Sequence, residues 1–161
     1  MSIIKHLMAV VVSVSIASSL TSCKEEKRIV GTWEWEKTQL VEETRNHPIV
    51  ERNIARDTTI YPEKGESIIL TFTKKGVVLI QETDTNGNSE SESYSYMIMD
   101  NKLYVEDAEF AMSFNGKKMI LTSESTRDRT NYWDSEGNIL PKEEQKKYQE
   151  YSKEVMTLKE R

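Results

Sequence analysis

Cysteine and histidine are almost missing from this sequence, and their scarcity excludes several kinds of site. The chain contains one cysteine, Cys23, and two histidines, His6 and His47. One cysteine cannot form an intrachain disulfide, and so few nitrogen and sulfur ligands cannot build a His-based triad, a His-rich zinc site or a His/Cys metal cluster. No catalytic motif is recognisable either. We therefore predict a non-enzymatic protein with no metal and no cofactor.

Basic residues are fewer than acidic residues in this chain. The chain has 22 Lys and Arg against 27 Asp and Glu, for a formal net charge of −5. This acidity argues against nucleic acid and anionic membrane surfaces as partners. So many acids make some carboxylate pairs inevitable, and their proximity in sequence is no evidence for glycosidase chemistry.

A hydrophobic run long enough to span a membrane is absent as well. The apolar stretch from Leu7 to Leu20 is shorter than the about 20 residues that a span needs. It follows a basic start containing Lys5 and precedes the charged segment 24–28. This arrangement predicts a secretory signal peptide over residues 1–22.

The end of the signal, Leu20-Thr21-Ser22-Cys23, resembles the lipobox of bacterial lipoproteins. The resemblance implies transfer of diacylglycerol to the Cys23 sulfur and cleavage before it. Two acyl chains suffice for stable anchoring, so we predict a membrane-tethered protein that does not span the bilayer. A buried thiol and an uncleaved N-terminal anchor are the alternatives.

The tether formed by residues 23–28 gives an expectation for the location. Its order Cys-Lys-Glu-Glu resembles the acidic export signal of some Gram-negative lipoproteins. We expect an outer-membrane lipoprotein, at the periplasmic face or at the cell surface. On composition alone, the tether is better described as a solvated linker.

The part after the signal, 161 − 22 = 139 residues, suits a single domain over residues 29–161. Residues 29–37 alternate Trp33 and Trp35 with polar residues, which predicts a half-buried strand. Further strand candidates are separated by turn residues and predict a meander of antiparallel hairpins. They are 67–73, 76–82, 92–99, 102–105, 109–114 and 118–124, with 125–133 as an extension of the sheet.

One internal segment does not fit this pattern. Residues 42–65 carry Pro48 and Pro62 and show no sustained period. We predict a long excursion there, with a helical turn near residues 50–55. Loops of this length are either functional or mobile.

The C-terminal part predicts a helix and then a closing strand. Pro141 precedes a run of good helix formers that reaches about Ser152. Residues 155–159 either prolong this helix or form a last strand. We favour the strand, because it closes the meander by pairing with the first one.

Several short motifs resemble lipocalins. Gly31-Thr32-Trp33 matches their Gly-X-Trp signature, and the hairpin at 69–78, Tyr94-Ser95-Tyr96 and residues 102–105 are similar to bacterial lipocalin-like lipoprotein domains. The resemblance implies an antiparallel up-and-down barrel of about eight strands around a small cavity, in agreement with the strand pattern. It also implies that Trp33 packs against an Arg of the final strand, for which Arg161 is the candidate.

A barrel of this kind would have a ligand cavity lined by alternate residues of several strands. If Trp33 and Trp35 point inward, Lys37 and Gln39 share their face; the alternative is that both reach water where the barrel widens. The apolar alternations on later strands either line a pocket or form plain core. The candidate cavity residues are Trp35, Lys37, Gln39, Tyr94, Tyr96, Phe110 and Met112.

Two functions from different classes fit these observations. The first is a lipoprotein whose barrel binds a small hydrophobic or amphipathic ligand in the cell envelope or at the surface. The second is a protein-interaction module, such as an inhibitor or an accessory subunit of a surface complex, that uses residues 42–65 and the barrel rim. An open cavity of about 300 Å³ or more favours the ligand, whereas an interior filled by the protein's own aromatic side chains favours the rim.

Overall fold

Strands dominate the structure, a computed structural model that describes residues 28–48 and 55–161. The predicted signal peptide, Cys23 and the helical turn expected over 50–54 lie outside the described residues. The strands are β1 (Gly31–Arg45), β2 (Ala55–Ile60), β3 (Ser67–Phe72), β4 (Val77–Thr83), β5 (Ser89–Met99), β6 (Lys102–Val105), β7 (Ala108–Asn115), β8 (Lys118–Asn131) and β9 (Lys146–Glu160).

Eight of the nine strands close into an antiparallel barrel. Each strand from β3 to β8 pairs with the next, β1 pairs with β3, and β9 pairs back with β1. Strand β2 lies outside this ring and pairs with β1 alone among the described strands. The predicted up-and-down barrel and the closing strand at 155–159 are therefore confirmed.

The contacts divide the described residues into two compact units. Unit 1 comprises residues 28–38, 60–123 and 155–161, and unit 2 comprises 39–48, 55–59 and 124–154.

The apolar core belongs to unit 1 and follows the alternation of its strands. On β3 and β4, for example, every second side chain is buried, as a sheet with one face on a core requires. The buried core residues are Ile29, Trp33, Trp35, Ile68, Leu70, Phe72, Val78, Ile80, Ile98, Leu103, Val105, Ala108, Phe110, Met112, Met119, Leu121, Met156 and Leu158.

The helix predicted from Pro141 to Ser152 is wrong. Strand β9 begins at Lys146, and no helix forms within residues 55–161. The charged and polar residues that favour a helix find partners on the neighbouring strand β8 instead, and these contacts offset their low strand propensity. The pairs are Lys153 with Glu124 at 2.8 Å, Glu150 with Arg129 at 2.8 Å, and Gln149 with Asp128 at 3.0 Å.

The excursion predicted over 42–65 is also shorter than expected, because strands occupy both of its ends. Strand β1 continues to Arg45, and β2 covers residues 55–60. In unit 2 the Arg45 guanidinium lies 4.1 Å from the centre of the Tyr151 ring on β9. A cation over an aromatic face stabilises this kind of contact by about 0.5–1 kcal/mol at exposed sites.

Two turns of the protein share one design, which the sequence shows as Asp-X-X-Gly-Asn at 84–88 and at 134–138. In each, the carboxylate of the first residue accepts backbone N–H bonds from the third and fifth residues and a side-chain bond from the final Asn. Hydrogen bonds to the charged form favour it. The Asn88 and Asn138 bonds therefore lower the pKa of Asp84 and of Asp134.

Candidate functional site

Trp33 holds the segment before β1 against the core of unit 1. Its side chain is 4 % exposed, and its Nε1 donates a hydrogen bond to the carbonyl of Ile29 at 2.7 Å. The preceding Gly31 has a φ of 151°, which L side chains rarely adopt. The two residues of the Gly-X-Trp motif thus act as a backbone bend and an anchoring ring.

The cation at this part of the core is Arg28 rather than Arg161. The Arg28 guanidinium lies 4.3 Å from the centre of the Phe114 ring, which in turn lies 5.9 Å from the Trp33 ring. Among the described residues, no cation–π contact joins Arg161 to Trp33. Arg161 contacts β1 through its backbone, since its N–H donates a hydrogen bond to the carbonyl of Thr32 at 3.0 Å. Its side chain is exposed to solvent.

The alternation that assigned Lys37 and Gln39 to the face of Trp35 does not continue along β1. Trp35 Nε1 donates to Thr38 Oγ1 at 2.9 Å, and both side chains are buried. Residues three apart point to opposite faces of a regular strand, so the alternation shifts by one residue here. Thr38 therefore occupies the buried position that was expected for Lys37. The Lys37 side chain is only half-buried.

Gln39 belongs to unit 2 and binds within it. Its side-chain amide donates to the two carboxylate oxygens of Asp57 on β2, at 3.0 and 3.1 Å. This pair fastens β2 to β1. That Gln39 lines a ligand cavity stays a prediction, and in the structure its side-chain amide is engaged with Asp57.

The remaining candidate cavity residues do come together, as parts of the core. Phe110 and Met112 are each 6 % exposed, and Tyr94 and Tyr96 pack against the buried cluster. The Tyr96 hydroxyl donates to the carbonyl of Thr73 at 2.7 Å. These residues contribute to the apolar core of unit 1.

Tyr94 has a distinct electrostatic environment. Its hydroxyl donates to the Glu92 carboxylate, and this bond raises the pKa of Tyr94 from 10.0 to about 12. Partial burial and the charges of Glu92, Glu106 and Glu82 add to the shift. All of these effects disfavour the phenolate, so Tyr94 remains a neutral hydrogen-bond donor at ordinary pH.

A group of exposed apolar residues in unit 2 was not found from the sequence. Tyr132, Trp133 and Ile139 flank the 134–138 turn and are 47 %, 53 % and 78 % exposed. We call these three residues the aromatic hairpin. The sequence signal was weak, because Tyr132 and Trp133 are adjacent and break the alternation by which a strand is recognised.

The backbone of the aromatic hairpin is fixed by hydrogen bonds. Trp133 and Ile139 form an antiparallel bridge, the N–H of Leu140 donates to the carbonyl of Tyr132 at 2.8 Å, and the Asn131 side chain donates to the carbonyl of Trp133 at 2.6 Å. The two aromatic rings meet edge to face with centroids 5.8 Å apart. The backbone that carries the exposed side chains is therefore held in a defined arrangement.

The described residues lack both a metal-binding cluster and a membrane-spanning helix. Within 28–48 and 55–161, no group of three or more His, Cys, Asp or Glu side chains is placed to hold a metal ion. Nor does that part of the chain contain a helix with the length and apolar character needed to traverse a bilayer.

Comparison with known proteins gave no relative: no protein family, no curated protein and no solved structure matches this chain. The similarity to lipocalin-like lipoproteins remains a prediction carried by the motifs quoted above.

Proposed function

We propose that the protein is a non-enzymatic lipoprotein of the Gram-negative outer membrane that binds a protein partner through the aromatic hairpin. The lipobox at Leu20–Cys23 supports the anchoring. The exposed Tyr132, Trp133 and Ile139 support the binding role, and this cluster is the observation that carries the proposal. The partner belongs to the class expected for an accessory subunit or an inhibitor of an envelope complex.

The composition of the aromatic hairpin is that of an interface hot spot. Trp and Tyr are enriched among the residues that carry most of the binding energy of protein interfaces. Burial of apolar surface is the dominant favourable contribution in most protein–protein association. Because hydrogen bonds already hold the hairpin, little conformational entropy is lost on binding.

The state of the barrel interior favours a partner over a small ligand. Among the predicted cavity residues, Trp35, Phe110 and Met112 are buried in the core, and the Trp35 N–H is bonded to Thr38. Side chains that pack in the core leave less surface for a ligand, which supports recognition on the outside of the protein. The aromatic hairpin offers exposed apolar surface there.

A small hydrophobic or amphipathic ligand is the second candidate. It is favoured by Tyr94 and Tyr96, which are half-buried against the core and present hydroxyl groups beside apolar side chains. Native mass spectrometry of the protein purified from its own membranes tests this candidate. A discrete added mass supports it, and a bare acylated chain contradicts it.

The partner is tested by crosslinking from the hairpin in intact cells. A photoreactive amino acid replaces Ile139 in the full-length lipoprotein, and the matched control carries it at Tyr61, which is 60 % exposed in unit 1. We expect a discrete adduct from position 139 that disappears when Trp133→Ala is added. Equal adducts from both positions, or an adduct indifferent to Trp133, would contradict the proposal.

The anchoring is tested separately through Cys23. We expect Cys23→Ser to leave a folded domain that moves from the membrane fraction to the soluble fraction, because anchoring depends on the acyl chains. The measurement is fractionation followed by blotting. Retention of a mature-length Cys23→Ser protein in the membrane would show that another element binds it there.

A further inference from the structure

None of the outward side chains of β3, β4 and β5 is ionisable, and the carboxylate that contacts them is that of Glu106, which accepts a hydrogen bond from the Ser95 N–H at 3.2 Å. Charged residues make up 30 % of the whole chain. They are present on the outer face of both adjacent strands, as Glu34 on β1 and Lys102 on β6. We call this surface of unit 1 the neutral face. Its outward residues are Ser67, Ile69, Thr71, Val77, Leu79, Gln81, Thr83, Ser89, Ser91, Ser93, Ser95, Met97 and Met99.

An apolar stripe crosses the neutral face diagonally. Val77, Leu79 and Met97 are 37 %, 42 % and 50 % exposed. Val77 lies opposite Ser95, the neighbour of Met97 on the same face, and Met97 lies opposite Tyr104 on β6. The serines, threonines and the glutamine on either side form an uncharged polar border, so the surface has the apolar centre and polar rim of a protein interface.

We infer that the neutral face is where two copies of this chain associate. A second copy has the same negative net charge of −5, and like charges brought together across an interface cost several kcal/mol. A binding site for a partner of opposite charge would itself carry charged side chains, which this face lacks. A face without ionisable groups, bearing hydroxyls that both donate and accept, suits an identical surface related by a two-fold axis.

The size of the neutral face sets the strength of this association. Its outward positions cover a flat area of about 400 Å² per copy, from the usual rise and spacing of strands. Stable complexes bury about 800 Å² per partner, so the association is weak in dilute solution. It becomes appreciable where copies are concentrated, as when a lipid tether confines them to one surface.

Disulfide trapping of the full-length chain in intact cells tests this inference. Leu79→Cys places a thiol on β4, the middle strand of the neutral face, and Lys118→Cys is the matched control on the outer face of β8, away from the neutral face. We expect oxidation to give a reducible species of twice the chain mass from Leu79→Cys alone. The unsubstituted chain, oxidised in parallel, accounts for any reaction of Cys23.

A second substitution separates a specific contact from chance collision. Val77→Asp adds a charge to the stripe and should lower trapping from Leu79→Cys by roughly tenfold, the effect of about 1.4 kcal/mol. Thr122→Asp on the outer face of β8 should leave trapping unchanged. The inference is overturned by no trapping from Leu79→Cys, by equal trapping from Lys118→Cys, or by an adduct whose mass is not twice that of the chain.

Discussion

Replacing Trp33 by alanine tests how firmly the start of β1 is bound to the core of unit 1. The ring is 4 % exposed, contacts Phe114, and donates its N–H to the Ile29 carbonyl. Ile29 is itself completely buried, so its carbonyl would have no access to water as a replacement donor. The substitution therefore removes both apolar contact and a buried hydrogen bond.

The expected loss of stability is large compared with the total free energy of unfolding of a typical domain. Truncating a buried Phe or Trp to Ala costs about 3–5 kcal/mol, and an unsatisfied buried carbonyl adds about 1–3 kcal/mol. The free energy of unfolding of natural domains is about 5–15 kcal/mol. Trp33→Phe keeps most of the ring and loses the hydrogen bond, so it should cost only about 1–3 kcal/mol.

Urea unfolding followed by circular dichroism measures these differences. The matched control is Trp133→Ala, which truncates a tryptophan that is 53 % exposed and should cost less than about 1 kcal/mol. If Trp33→Ala and Trp133→Ala lower the free energy of unfolding equally, the assignment of Trp33 as an anchor of the core is refuted. Equal losses for Trp33→Phe and Trp33→Ala would assign the effect to the hydrogen bond alone.

Four further changes have defined outcomes. Deleting residues 154–161 removes the closing end of β9 and should lower the midpoint of the thermal transition by about 10 °C or more. An unchanged midpoint after this deletion would contradict closure by β9. Arg161→Ala, by contrast, should change the free energy of unfolding by less than about 0.5 kcal/mol. Gly31→Ala should cost about 1–3 kcal/mol in urea unfolding, because its φ of 151° is strained for alanine although the added Cβ meets no atom within 4 Å. Glu92→Gln should return the pKa of Tyr94 from about 12 toward 10.0 in an ultraviolet titration. Since the folded pKa is the higher one, the stabilisation by Tyr94 is complete below about pH 10, is lost as the pH rises toward 12, and does not exceed about 1 kcal/mol in this partly solvated pair.

The barrel was predictable because its hairpins are specified locally. Asp100 and Asn101 both have positive φ, as the two central residues of a type I′ hairpin turn require, and such residues mark the turn in the sequence. The strands on either side alternate apolar and polar residues, so their inward faces follow from period two. The seam between β1 and β9 was inferred from the need to cover two open edges.

The errors arose where distant residues decide the local structure. Residues such as Glu150 and Lys153 have good helix propensity, but the partners that hold them in β9, Arg129 and Glu124, lie on β8, and sequence spacing does not reveal them. The shift of alternation between Trp35 and Thr38 likewise depends on a hydrogen bond between their side chains. Both features are tertiary effects that override local pattern.

The pairing of β1 with β9 also has a consequence for how the chain folds. The hairpins joining β3 to β8 connect neighbours in sequence, whereas the Arg161 N–H and the Thr32 carbonyl that it meets are 161 − 32 = 129 residues apart. Long-range contacts form late because the entropy of closing the intervening loop is lost before they stabilise anything. Until then the sheet has two unpaired edges that can join those of other chains. We therefore expect the folding barrel to be prone to association with other chains for as long as β9 has yet to reach β1.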